Sequence, residues 1–461
     1  MGKYNMRFII PVALIAAMGG LLFGYDWVVI GGAKPFYERF FGITGNPGLQ
    51  GFAMSSALIG CIFGAAISGW VTDQYGRKIS LLICALLFTV SGLGTGMADH
   101  FGSFIFWRIL GGFGIGIASA ASPVYIAEIT PPAFRGSFVS LNQLAIVVGI
   151  LAAQIINYLI AEPVPEGATD VIISSSWNGQ TGWRWMFWAE SFPAFLFFLL
   201  AFFVPESPRW LIKEGKTEKA LSILLRTGSS DYASNAFQEI SGTLAREKQG
   251  FSLLRLMNRK VRKVVLLGIA LAVFQQWCGI NVVFNYAEEV FSSAGYSITS
   301  MLFNIVITGI INLIFTFVAI RTVDSAGRKS LMLIGSAGLA ITYLILGAGY
   351  YFGFKGMPIL VMVVIAIAIY AMSLAPVTWV VLSEIFPNSI RGSAMAVATS
   401  ALWIASAVLV ITFPYLHRLL KASGTFWVYS AICIAGFLLI FFRLPETKGK
   451  SLEKIESLMQ T

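Results

Sequence analysis

Long apolar runs alternate with short polar loops from one end of the chain to the other. About twelve are long enough to cross a bilayer, near 8–31, 51–72, 79–98, 103–127, 137–160, 183–204, 261–291, 299–321, 329–352, 357–384, 392–416 and 425–443. Apolar positions within them are continuous rather than alternating, which predicts helices and not the strands of a membrane barrel. The only sizeable polar stretch is 205–260. Its segments Thr217–Arg226 and Ala233–Glu247 have helix-compatible patterning and are separated by Thr-Gly-Ser-Ser. The pattern predicts an all-α polytopic membrane protein: a six-helix bundle over 1–204, a helical linker over 205–260, a second six-helix bundle over 261–443 and a short tail over 444–461.

The halves share sequence. Asp73-Gln-Tyr-Gly-Arg-Lys78 is echoed by Asp324-Ser-Ala-Gly-Arg-Lys329, and Glu128-Ile-Thr-Pro-Pro-Ala-Phe-Arg-Gly136 by Glu384-Ile-Phe-Pro-Asn-Ser-Ile-Arg-Gly392. Both offsets are roughly 250 residues, about half the chain, which marks an internal duplication.

Composition agrees with a membrane protein: 57% of the 461 residues are hydrophobic and 12% charged, outside the range of soluble domains. Lys and Arg collect in the linker and in the loops carrying Arg77, Arg135, Arg328 and Arg391. By the positive-inside tendency, both termini and the linker are cytoplasmic. The net charge of +10 therefore needs no nucleic-acid partner. Four isolated cysteines and two histidines offer no metal or redox spacing, so no cofactor and no metal site are expected. The linker is too small for a catalytic domain, and no nucleophile–base constellation appears, so an enzyme is not expected. Gly112-Phe-Gly-Ile-Gly116 lies inside an apolar run with no preceding strand; it reads as close helix packing, together with Gly60 and Gly64, rather than as a dinucleotide loop.

Three charges inside the spans stand out, since each is costly there unless paired or solvated: Asp26, Arg108 and Glu190. At the loop motifs, acids and bases can pair with each other and with helix termini. Asp73 with Arg77, Glu128 with Arg135, and the copies Asp324, Arg328, Glu384 and Arg391 are candidates for a gating network, against simple charge anchoring.

The duplicated Asp-x-x-Gly-Arg-Lys loops resemble the signature of the major facilitator superfamily. Pro205-Glu-Ser-Pro-Arg-Trp-Leu211, Pro445-Glu-Thr-Lys-Gly449 and Gln275-Gln-Trp-Cys-Gly-Ile-Asn281 resemble the signatures of its sugar porters. The resemblance covers essentially the whole chain. It implies two six-helix bundles rocking about a central sugar site, with Glu206, Arg209 and Glu446 joining the gating network. It assigns Asp26, Arg108 and Glu190 to proton coupling, against the alternative of a fixed ion pair between the first and fourth spans. Asp26 stands where passive uniporters typically carry Asn. It assigns sugar contacts to Phe23, Gln143, Gln275, Gln276, Asn281, Asn312, Trp379 and Trp403, with Tyr286 as part of an external lid. Single amides in a membrane span also serve as interhelical glue. Gln276 and Asn281 are spaced to share one side of a helix broken near Gly279.

Three positions depart from the family pattern: Leu402 where relatives often carry an amide, Ala375 in place of Gly before Pro376, and Asn285 in place of one tyrosine of a pair. The interior is also unduplicated. The second-half counterpart of Arg108 is Val364 and that of Asp26 is Trp277, which gives the proton to the first half and most of the sugar to the second. The expectation is a proton-coupled monosaccharide symporter of a bacterial plasma membrane, a functional monomer whose partners are sugar, proton and lipid bilayer. The alternatives are a facilitative sugar or cyclitol carrier and a transporter-like sugar receptor.

Overall fold

A computed structural model describes residues 4–246, 259–387 and 390–448. Helices dominate, and among the described residues the β-structure is one isolated bridge between Tyr4 and Gly228. Among the described residues, ten helical segments are long and apolar enough to cross a membrane. Trp183–Ala201 supplies another span, less apolar because it opens on Trp-Arg-Trp and carries Glu190. The longest segment, Arg391–Arg443, holds two spans divided at Lys421, whose φ is 55°. Counting it twice gives the twelve spans of the sequence pattern.

Several spans differ from the apolar runs. The first runs Met6–Phe40, nine residues beyond the run that ended at 31, because tertiary packing carries the helix through Gly31, Gly32 and Pro35. Gly32 lies against the Asn157 side chain and Gly31 against the Phe284 carbonyl. The seventh is broken twice: Arg259–Trp277 stops, Gly279 turns in the left-handed region at φ 91°, Ile280–Asn285 follows, and Ala287–Ser293 begins after a kink at Tyr286. The tenth breaks at Ser373, between Met357–Met372 and Leu374–Ile385. Its Oγ donates to the Ile369 carbonyl at 2.5 Å, satisfying an acceptor that the break orphans.

Contacts group the chain into two units. The first comprises Met1–Trp27, Gly60–Ile150 and Phe187–Gly250; the second comprises Val28–Ile59, Leu151–Met186 and Phe251–Thr461. Within the first, the second and fourth spans (Pro47–Tyr75 and Phe101–Ile129) pack backbone to backbone. A Cβ on Gly60, Gly64 or Gly116 would strike main-chain atoms of the opposite helix, so the glycine-rich runs are packing surfaces. Linker helices Pro208–Lys213, Thr217–Thr227 and Ser230–Arg246 belong to this unit. Within the second, the outer ends of the first, second and fifth spans join the whole second half of the sequence. Twelve alternating spans place the loops after even-numbered spans, and the linker, on one membrane side. That side is called the linker side below, and the opposite one the far side.

Candidate functional site

Asp26, Arg108 and Glu190 come together inside the first unit. Arg108 Nη1 donates to Asp26 Oδ1, and Nη2 donates to the Asp26 main-chain carbonyl at 3.1 Å. The Phe187 ring covers the guanidinium, 5.4 Å from Cζ. Glu190 follows Phe187 by three residues, on the same helix face and within electrostatic reach of both charges. None of the three is more than 2% exposed. Asp26 Oδ2 and Glu190 Oε1 are buried with no hydrogen-bond partner. One guanidinium, hydrogen-bonded to Asp26 and within electrostatic reach of Glu190, therefore faces two carboxylates where an uncompensated charge is expensive.

In the second unit the break at Gly279 lets amides from both sides of it meet. Asn281 Nδ2 donates to Gln276 Oε1, Gln276 Nε2 to Gln275 Oε1 at 2.6 Å, and Gln275 Nε2 to the Tyr370 hydroxyl at 2.6 Å. This chain of polar groups is buried and hydrogen-bonds within itself, as buried amides must. Tyr370, from the tenth span, was missed in the sequence because an aromatic inside an apolar run reads as core. Of the other expected sugar contacts, Asn312 and Trp403 are buried in the second unit and Trp379 is half-buried there; Phe23 and Gln143 are half-buried in the first unit. Tyr286 is fully buried, its hydroxyl donating to the Val410 carbonyl at 2.6 Å and its ring 4.3 Å from that of Phe413.

The linker-side motifs build the same structure twice. In the first copy, Arg77 Nη2 donates to Glu128 Oε1 at 3.0 Å, its Nη1 reaches Asp73 Oδ1 at 3.3 Å, and Glu206 Oε1 accepts the Arg77 and Lys78 amides at 2.9 and 3.2 Å. In the second, Arg328 Nε lies 3.3 Å from Glu384 Oε1, and Glu446 accepts the Arg328 and Lys329 amides at 2.9 and 3.1 Å. Each carboxylate thus caps a helix whose first amides lack intrahelical partners. The preceding residues, Gly76 and Gly327, have φ of 91° and 88°, and a Cβ on either would run into the capping carboxylate. Glu128 takes Arg77 as its partner, whereas Arg135 donates to the Ala127 carbonyl at 3.0 Å. Arg209 is half-buried in the helix that follows Glu206. The side chains of Asp324 and Arg391 lie outside the described residues.

Sequence reasoning missed a further group on the far side. Lys34 Nζ lies 3.2 Å from Glu38 Oε2, 2.9 Å from Glu288 Oε2 and 2.8 Å from Glu289 Oε1. Ending the first span at 31 hid Lys34 and Glu38. Their four-residue spacing and the Glu288–Glu289 pair were the available signals.

Twelve spans among the described residues, duplicated linker-side caps and a buried charge group define a carrier of the major facilitator superfamily. A profile described as "Sugar (and other) transporter" matches residues 12–459, and the chain belongs to that family. It is 39% identical over 488 residues to the D-xylose-proton symporter of Escherichia coli strain K12, covering 99% of this chain and 97% of the relative. It is 35% identical to the glucose facilitated diffusion protein of Zymomonas mobilis, covering 98% and 97%. The inward-open structure of the E. coli xylose transporter superposes with a TM-score of 0.85 at 39% identity, covering 98% of this chain and 100% of that one.

Proposed function

We propose that the chain is a proton-coupled monosaccharide symporter working by alternating access. The observation that carries this reading is the buried group in which Arg108 faces both Asp26 and Glu190. Protonation of Asp26 removes its attraction to Arg108 and makes the acid cheaper to hold in a low-dielectric site. A conformational equilibrium sensitive to that attraction is then driven by proton binding. Glu190 is the second proton carrier. Its carboxylate takes over the guanidinium when Asp26 is neutral, so Arg108 is never left without a counterion.

The sugar is held by Gln275, Gln276 and Asn281, whose mutual hydrogen bonds are exchanged for sugar hydroxyls, together with Gln143 and Asn312. Phe23, Trp379 and Trp403 cover its apolar C–H faces. The two six-helix bundles, 1–204 and 261–443, move about the linker. The capped networks around Arg77 and Arg328, with Asp73, Glu128, Arg135, Glu206, Arg209, Asp324, Glu384, Arg391 and Glu446, act as the linker-side gate, and Tyr286 acts at the far side. The linker and termini face the cytoplasm of a bacterial cell, and the protein works as a monomer in the inner membrane.

The test is Asp26→Asn in proteoliposomes. Uphill sugar accumulation is lost while sugar exchange persists, and sugar-induced proton influx followed with pyranine disappears. Unchanged accumulation would sink the coupling role. The Zymomonas relative named for facilitated diffusion supports a second reading as a uniporter, for which wild-type protein shows sugar flux with no proton signal.

A further inference from the structure

We propose that the far-side cluster around Lys34 is a second proton-binding site, in which Glu38 and Glu289 share one proton that fastens the outer end of the first span to the seventh. The site is independent of Asp26, Arg108 and Glu190.

Charge counting within the cluster comes first. Lys34 is 2% exposed and faces three carboxylates: Glu38 of its own helix, and Glu288 and Glu289 of the short helix after Tyr286. Arg39 Nη1 adds a second cation, 3.3 Å from Glu288 Oε1, and its Nε also holds the exposed Asp170 at 2.8 Å. Glu288 is thus compensated by both cations. Glu38 and Glu289 have only a share of Lys34 between them. The buried part of the cluster, two cations against three carboxylates, is one positive charge short.

Two oxygens mark where the charge is missing. Glu38 Oε1 and Glu289 Oε2 are buried without a hydrogen-bond partner, and Glu38 is only 2% exposed. Its other oxygen is already used by Lys34 and by Gln50 Nε2 at 2.8 Å. Both acids line a cavity of about 200 Å³ completed by Thr44, Gln50 and Ser292 among others. Two ionised carboxylates crowded on one ammonium in such a place do not both keep their charge: one or the other carries a proton, and they titrate as a pair. The remaining groups facing the site do not supply the charge. Tyr37 donates to Met54 Sδ, and Tyr286 donates to Val410 with its ring 6.0 Å from Lys34 Nζ. His417 of the eleventh span also lies within electrostatic reach of Lys34.

With the proton bound, Lys34 is shared among acids whose repulsion is relieved, and the contact between the first and seventh spans holds. As pH rises and the proton leaves, the excess negative charge pushes Glu38 from Glu288 and Glu289, and the contact weakens. The folded, fastened state binds the extra proton, so its stability falls with rising pH.

Hydrogen–deuterium exchange on the purified full-length protein in detergent tests this, with amide rates corrected for intrinsic pH dependence. Between pH 5.5 and 8, peptides covering 30–50 and 284–293 are expected to lose protection by about tenfold, the effect of one pKa unit of linkage. Glu38→Gln and Glu289→Gln each remove the surplus acid, and each flattens the profile; should one variant fail to fold, the other carries the test. In Asp26→Asn the pH slope of these peptides persists whatever shift in baseline protection that substitution makes, which separates this site from the coupling group. A flat wild-type profile, a slope retained in the Gln variants, or a slope abolished by Asp26→Asn overturns the proposal. So does protection that rises with Na+ or K+ at fixed pH, which would make the occupant a metal cation.

Discussion

The two membrane sides are fastened by opposite designs. On the linker side, each sequence half ties up its own charges. Arg77 is held by Glu128 and Asp73 while Glu206 caps its helix, and Arg328 and Glu446 repeat the arrangement with Glu384. On the far side, one lysine of the first half carries three acids, two of them from the second half. Among the described residues, the linker side spreads its ionic contacts over two guanidinium groups and the helix-capping amides. The far side concentrates its load on one ammonium. A duplicated, distributed network suits a gate in which each half keeps its own helix ends capped through a conformational cycle. A single shared cation suits a contact that opens and closes as a unit, because losing it frees Glu38 and Glu289 together and leaves Glu288 with Arg39 alone.

The largest effect is expected where the load is most concentrated. Lys34→Met leaves Glu38 and Glu289 buried without a cation, and removing one partner of a buried ion pair costs about 3–5 kcal/mol. Thermal unfolding in detergent should show a large fall in Tm, and adding Glu38→Gln and Glu289→Gln to the same protein should recover most of it. A Tm unchanged by Lys34→Met would mean that the far side is held by packing, such as Tyr286 on Phe413, and the contrast between the sides would collapse.

A smaller effect is expected from the caps. Ala at position 76 or 327 takes a left-handed backbone that L-residues resist, at about 1–3 kcal/mol, and its Cβ displaces the capping carboxylate. Gly76→Ala should cost more than Gly327→Ala, since the Cβ would approach Glu206 more closely than it would Glu446 and Glu206 is the more enclosed. Denaturation midpoints of the two variants give the order. Equal losses would show that backbone strain alone is felt and that the carboxylates move aside freely.

How much of this was legible in the sequence follows from the range of the interactions. The parts of the caps were visible as short repeated motifs, glycine directly before the Arg-Lys pair and Pro-Glu after the sixth and twelfth spans, but these gave Glu206 and Glu446 a place in a gating network and not their bonds to the helix amides. The pairing of Asp26 with Arg108 was readable because a charge in an apolar run demands a partner. The amides flanking Gly279 were readable from their spacing. Lys34 was not, because hydropathy ends a span where polarity begins, whereas the helix continues wherever tertiary contacts satisfy the polar groups. Its partners Glu288 and Glu289 stand some 250 residues away with no repeat to align them. Tyr370 hid for the opposite reason: its ring belongs to the core and only its hydroxyl belongs to the amide chain.

The subtlest difference lies between the two copies of the cap, which titrate in opposite senses. Burial lifts the Glu206 carboxyl above its ordinary range, and the Ser207, Lys78 and Arg77 amides with the Arg77 charge bring it only partway back. Glu446 is less enclosed; burial lifts its carboxyl too, but the Lys448, Arg328, Ser330 and Lys329 amides together outweigh that lift, leaving it below its ordinary range. Just above the ordinary carboxylate value of about 4.3, the folded protein holds a proton on Glu206 that the unfolded chain has released, so this contribution to stability falls as pH rises. Glu446 works the other way: its contribution is fully present above that value and is lost as pH falls through the lowered one. Glu206→Gln should therefore flatten the profile of Tm against pH on the alkaline side of the ordinary value. Glu446→Gln should flatten it on the acid side, each by a degree or two at most. If both substitutions alter the same limb, the two caps are equivalent in charge as well as in geometry, and the difference in their burial has no energetic consequence.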